Sequence, residues 1–230
     1  RTSADAVARL RGKPVAPAYT TTRLRDGAVL AAKADDRVLP LASLTKLRTA
    51  CVASRLVDNR DIVRIESSDF VSSSPHMREG DEVSAEALLS AMLLYSDNVA
   101  AQALARFAGS RLSSSDPVQA FLEAMNAEGM GAYEDPWGKG SASARTVVHL
   151  LQQLMADSNL LRLASQEGYS TIIGGPAARR ATWTNRVTGR AKRLPGVICG
   201  KTGTSDYRAS LALVWRDDAD DYATVVLSSP

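Results

Sequence analysis

The sequence predicts an α+β fold: an antiparallel sheet formed from both chain ends and flanked by helices, with an all-helical lobe inserted between those ends. Three observations lead there. β-favouring runs surround a hairpin signal near the N-terminus, apolar residues recur at helical spacing through the middle, and alternating strands return at the C-terminus. At 230 residues the chain reads as a single domain over 1–230. An α/β lobe is expected at about 1–58 and 175–230, and a helical lobe at about 59–174.

Residues 18–24 carry a Thr-rich run, Asp26-Gly27 is a turn signal, and 29–34 return as a second strand. After Pro40 the period changes. Leu44, Leu47, Cys51, Val52 and Leu56 form a helical stripe, which puts Ser43 at a helix start. Ser84 is a good N-cap for a helix with Leu88, Leu89, Met92 and Leu93, and Val99, Ala103, Leu104 and Phe107 mark another. Asp116-Pro117 opens the next, with a cap followed by proline in the first turn. Residues 129–140 form a Gly-rich loop with Pro136 and Trp137, after which Val147, Leu150, Leu151, Leu154 and Met155 give the cleanest amphipathic pattern. Strands are expected at 197–203, around Leu211, Leu213 and Trp215, and at 222–228 beyond an acidic turn. Ligand sites favour the cleft between two such lobes.

Composition narrows the function. Hydrophobic residues make up 45% and charged residues 23%, as in a globular protein with a real core, and no apolar run is long enough to span a bilayer. The net charge of +3 is spread along the chain. Its densest basic stretch, Arg179, Arg180, Arg186, Arg190, Lys192 and Arg193, reads as a solvated surface, and no nucleic-acid motif accompanies it. Cys51 and Cys199 fit neither a zinc site nor a redox pair; one disulfide or two free, buried thiols fit the sequence, and their apolar settings favour the thiols. No cofactor or metal is implied. His76 and His149 lie in settings unsuited to a Ser-His-Asp triad.

Three short patterns occur once each, in order: Ser43-Leu44-Thr45-Lys46, Ser96-Asp97-Asn98 and Lys201-Thr202-Gly203. Singly, each is explained as well by a capping serine, an Asx turn or a strand end with a solvated lysine. Together, in these settings, they form a constellation. Ser43 and Lys46 share a helix face, and a serine hydroxyl needs a base to become a nucleophile. Lys46 serves only if its amine is partly neutral, which burial, the helix N-terminus and a second lysine all favour. Ser96 is placed to pass a proton between Lys46 and a leaving amine. Asn98 offers an amide to a peptide-like substrate, and Asp97 braces the turn. Lys201 supplies a cation for a substrate carboxylate, Thr202 and Thr204 supply hydroxyls, and Gly203 permits close backbone approach. A substrate chain can add to such a strand, with the N–H groups of Ser43 and Thr204 facing the developing oxyanion.

These residues resemble the penicillin-binding proteins and serine β-lactamases, and more closely the low-molecular-mass D-alanyl-D-alanine carboxypeptidases. The similarity runs from about residue 18 to 228. It includes Leu41-Ala42-Ser43-Leu44-Thr45-Lys46-Leu47, the stretch from Met77 through Ser84, Ser141-Ala142-Ser143-Ala144-Arg145 and Thr184-Asn185-Arg186. It departs at Asp97, where close carboxypeptidase relatives often carry Gly.

The resemblance implies a β-lactamase/transpeptidase-like fold and acylation of Ser43 by a peptidoglycan stem peptide ending in D-Ala-D-Ala. Water would then hydrolyse the acyl-enzyme, and β-lactam antibiotics would act as covalent inhibitors. Ser43, Lys46 and Ser96 are the expected catalytic residues; Asn98, Lys201, Thr202, Gly203 and Thr204 are the expected substrate-binding residues. The implied location is extracytoplasmic, with a signal peptide taken as already removed and any membrane anchor outside this chain. Two alternatives stand beside it. A class A-like β-lactamase needs a carboxylate on a Glu-x-x-Leu-Asn loop, where this chain reads Glu134-Asp135-Pro136-Trp137-Gly138. The other is a non-catalytic cell-wall-binding sensor with the same fold.

Overall fold

The structure is a computed structural model that describes residues 15–188, 196–205, 208–217 and 220–230. Strand β1 (Ala18–Arg23) turns through Gly27, at φ 72°, into β2 (Val29–Lys33). The left-handed backbone there suits glycine, and the Asp26 carboxylate accepts from the N–H of Ala28 to close the turn. Strand β3 (Leu39–Pro40) leads through a 3-10 turn at Ala42–Leu44 into helix α1 (Thr45–Ala53). Every residue of α1 is buried. Its sequence stripe is therefore part of a helix enclosed all round, which suits a central element.

A ribbon of β4 (Ile62–Arg64) and β5 (Glu82–Ser84) brackets the loop 65–81. The Ser84 hydroxyl accepts from Ala87 N to cap α2 (Ala85–Ser90), which passes directly into a π turn at Ala91–Tyr95. Asp97 caps α3 (Asn98–Gly109), and Asp116 caps α4 (Pro117–Asn126) with Pro117 in the first turn. Short strands β6 (Ala132–Tyr133) and β7 (Gly140–Ala142) follow, β7 pairing with β3 as well as β6. Ser143 caps α5 (Ala144–Ala156), and Asp157 caps α6 (Ser158–Ala164). A hairpin of β8 (Gly168–Ile173) and β9 (Arg179–Thr184) precedes the last three strands, β10 (Val197–Ser205), β11 (Arg208–Asp217) and β12 (Asp220–Ser229).

The main sheet is antiparallel with order β10-β11-β12-β1-β2, so strands from both chain ends meet where β1 pairs with β12. The α+β architecture expected from the sequence is present. Its core runs continuously from Leu227, Val225 and Ala223 on β12 through Leu47 and Cys51 on α1 to Leu88, Met92, Leu104 and Leu151 on the surrounding helices. Cys51 and Cys199 are unbonded and buried, and burial pushes both thiols up to about 12. Arg179 and Arg180 of the basic stretch lie on β9, whereas Arg190, Lys192 and Arg193 fall outside the described residues. Among the described residues no helix is long and apolar enough to cross a membrane.

Candidate active site

Ser43 sits in the 3-10 turn that starts α1, partly exposed, while its neighbours on both sides are buried. Ala42 holds a left-handed φ of 48°, an uncommon conformation for a residue with a Cβ. That kink, closed by Leu44 N donating to Leu41 O at 3.1 Å, turns the Ser43 side chain into a cleft of about 310 Å3. The cleft is also lined by Ser96 and Asn98, by Thr202 and Thr204, and by Tyr95 and Arg186.

Lys46, one helical turn beyond Ser43, is fully buried. Its Nζ lies 3.1 Å from Ser43 Oγ, 2.6 Å from Asn98 Oδ1 and 2.6 Å from the Trp137 carbonyl. Burial lowers its pKa to about 7 against the opposing attraction of Asp135 and Asp97, and Arg186 lowers it slightly further. A neutral amine has two N–H donors and one lone pair. Asn98 Oδ1 and the Trp137 carbonyl can only accept from it, so they occupy both donors and leave the lone pair for Ser43. The helix supplies the Ser43–Lys46 spacing, and the two acceptors supply the aim.

The second motif is delivered by irregular backbone. The π turn ends on Ser96 in the left-handed region, φ 71° and ψ 32°, where the chain reverses before α3. Asp97 then accepts from Ala100 N at 3.1 Å and from the Ser74 hydroxyl at 2.5 Å, which is the bracing expected of it. Asn98 is shared between two partners: Oδ1 faces Lys46 and Nδ2 donates to Ser72 Oγ at 3.1 Å. One Nδ2 hydrogen stays available to the cleft.

The third motif lies on β10, the end strand of the sheet. Thr202 and Thr204 line the cleft. Lys201 does not. It is buried beneath, with Nζ donating to Ser96 Oγ at 2.8 Å and to the Thr202 carbonyl at 2.8 Å. Burial drives its amine well below the usual lysine range, and the nearby charges of Lys46 and Arg186 act in the same direction. Its direct partner is therefore Ser96, not a solvent-facing ligand position. A Cβ on Gly203 would stand 2.7 Å from the Leu41 carbonyl, so this glycine lets β10 press against the turn that carries Ser43.

Sequence reasoning gave no role to several neighbours of the site, although it singled out the stretch that holds Asn185 and Arg186. Ser72 belongs to a serine-rich loop held at both ends by buried carboxylates: Asp69 receives Arg106, and Asp81 receives both arms of Arg179. Asn185, nearly fully buried, donates to the Ala164 and Gln166 carbonyls and accepts from the N–H groups of Val187 and Thr188. So held, it sets Arg186 over the Tyr95 ring, with the guanidinium 4.5 Å from the centroid. Trp137 contributes only its backbone carbonyl, which no side-chain pattern signals. Glu134 is exposed and does not line the cleft, His149 is exposed against Gln152, and His76 packs edge-on to Tyr95 and Trp183.

A buried lysine poised beside a turn-borne serine, with a Ser-Asp-Asn turn and a Lys-Thr-Gly edge strand around them, defines a penicillin-recognising serine enzyme fold. The sequence matches the beta-lactamase enzyme family over residues 4–229, and the chain belongs to that family. Its fold is similar to that of a point mutant of Streptomyces K15 DD-transpeptidase, with TM-score 0.87 and 24% identity over 96% of this chain and 93% of that one. It is also similar to D-alanyl-D-alanine carboxypeptidase from Mycobacterium tuberculosis H37Rv, with TM-score 0.80 and 19% identity over 95% of this chain and 84% of that one. A comparison with curated protein sequences gives no match.

Proposed function

We propose that the protein is a serine D-alanyl-D-alanine carboxypeptidase that acts on peptidoglycan stem peptides outside the cytoplasm. The observation that carries this reading is Lys46 Nζ, 3.1 Å from Ser43 Oγ, with both other hydrogen-bonding directions taken by acceptors. Neutral Lys46 takes the Ser43 proton as Oγ attacks the carbonyl of the penultimate D-Ala. The tetrahedral intermediate collapses with cleavage of the peptide bond, and terminal D-Ala leaves as the amine after receiving a proton through Ser96. Water then attacks the ester, giving the shortened peptide and free Ser43. Asn98 holds the substrate amide, and Thr202 and Thr204 face its terminal carboxylate along the β10 edge. In this reading Lys201 acts from beneath by orienting Ser96, and Gly203 keeps the strand close.

A β-lactam enters the same cycle, but the amine freed by ring opening stays tethered to the acyl group, where it obstructs the water that hydrolyses the peptide ester. The exposed position of Glu134 favours this outcome over β-lactamase turnover. The test is intact mass after penicillin treatment, together with release of D-Ala from a peptide ending in D-Ala-D-Ala. A persistent adduct on wild type, none on Ser43→Ala, and D-Ala release by wild type alone are expected. Rapid hydrolysis of a chromogenic cephalosporin without a lasting adduct would instead support the β-lactamase reading. No adduct and no release would support a binding module.

A further inference from the structure

The turn that offers the Trp137 carbonyl to Lys46 is built by one side chain. Asp135 Oδ1 accepts from three successive backbone N–H groups: Trp137 at 2.9 Å, Gly138 at 2.6 Å and Lys139 at 2.9 Å. Two ties then fasten this knot to α1. Thr49 Oγ1 donates to the Pro136 carbonyl at 2.5 Å, and Lys46 Nζ donates to the Trp137 carbonyl at 2.6 Å. The other carboxylate oxygen, Oδ2, is buried and has no protein partner among the described residues.

We infer that Asp135 is a positioning residue for the base: its three-fold acceptance of backbone N–H groups holds the Trp137 carbonyl on Lys46 and thereby aims the amine lone pair at Ser43. The inference deepens the proposed function and rests on Lys46 being the base. The charged groups acting on Lys46 are Asp135, Asp97 and Arg186, with Lys201 nearby. Asp135 thus acts in two separable ways. Its oxygen shapes the loop, and its charge favours the ammonium.

Variants separate the two. Asp135→Asn keeps an acceptor oxygen at the Oδ1 position and removes the charge; Asp135→Ala removes both. Penicillin acylation of the whole protein is followed across pH, and Lys46 is titrated in the free protein by the NMR shift of labelled lysine side-chain carbons, assigned with Lys46→Arg. In Asp135→Ala the plateau acylation rate at high pH falls roughly tenfold or more, because the amine is no longer aimed. Its Lys46 midpoint drops by about half a pH unit or more, because the carbonyl and the carboxylate that favour the ammonium are both lost. Asp135→Asn recovers most of the plateau rate while its midpoint drops less. Should Asp135→Ala fail to fold, Asp135→Ser, whose hydroxyl replaces only part of the acceptor, is expected between the other two. A wild-type midpoint and plateau rate in the Ala or Ser variant overturns the inference. So does an Asn variant whose plateau is no better than theirs. If wild type forms no adduct at any pH, the proposed function fails and the titration decides alone: a midpoint lowered further in Asp135→Ala than in Asp135→Asn sustains the positioning role, and equal midpoints in the two variants end it.

Discussion

Lys201 reaches Ser96 from below, its Nζ 2.8 Å from the hydroxyl, and burial disfavours a charge on that amine. If the pair works as one proton-handling unit, its two members fail together. Ser96→Ala and Lys201→Met are each expected to slow D-Ala release by about 100-fold, a typical loss for an acid-base group. The double variant should be little slower than either. Independent, multiplicative losses in kcat/KM would separate the two residues.

Lys46 makes folding stability depend on pH. In the unfolded chain a lysine amine keeps its proton up to 10.5, whereas in the folded protein Lys46 releases it at about 7. Between those values the unfolded chain binds the extra proton, so stability rises as pH climbs through the window and is lost as pH falls back toward 7. The change is on the order of a few kcal/mol. Urea midpoints from pH 7 to 10 should climb in wild type and climb less in Lys46→Met. An identical slope in both contradicts the assignment.

Asn98→Asp exchanges an amide for a carboxylate 2.6 Å from Lys46 Nζ. The added negative charge holds the proton on Lys46, so the rise of acylation with pH should move to higher pH by about one unit or more. A profile still centred near 7 would mean that another group governs it.

Arg179 gives both arms to Asp81, at 2.8 and 2.7 Å, and Asp81 is almost entirely buried. Arg179→Ala strands that carboxylate, at a cost of about 2–3 kcal/mol, discounted because the arginine itself is partly exposed. The pair holds one end of the loop that carries Ser72 and Ser74. Chemical denaturation should register the loss of stability, and hydrogen exchange should quicken between residues 70 and 80.

Ala42 carries φ 48° next to Ser43, the proposed nucleophile. Ala42→Gly relieves this conformation and should stabilise the fold by about 1 kcal/mol. It also frees the backbone at Ser43, so acylation should slow even as the thermal midpoint rises. Slower acylation with no gain in stability would show that the kink is unstrained.

The fold and the three motifs were legible because they rest on local rules. The caps at Ser84 and Asp116, the Gly27 turn and the Ser43–Lys46 spacing are each fixed within a few residues. The β8–β9 hairpin escaped notice because its strands are polar and half exposed, with Ile172 facing solvent, so their alternation is muted. Helix α6 is only seven residues long and follows α5 directly, leaving too little sequence for a separate period. Within the site, the sequence assigned Lys201 to a substrate carboxylate, because a strand pattern does not reveal that its amine lies buried against Ser96. The Trp137 carbonyl and the Ser72 hydroxyl were invisible for a related reason: they depend on distant chain segments meeting, 91 and 26 positions from their partners.

Two amines sealed from solvent also constrain the proton inventory of the proposed cycle. The proton taken from Ser43 is held by Lys46 and departs on the D-Ala amine, so once Lys46 is neutral, acylation neither draws a proton from the medium nor delivers one to it. The acylation rate at fixed pH should therefore be indifferent to buffer concentration, as expected of chemistry whose only proton reservoir lies inside the protein.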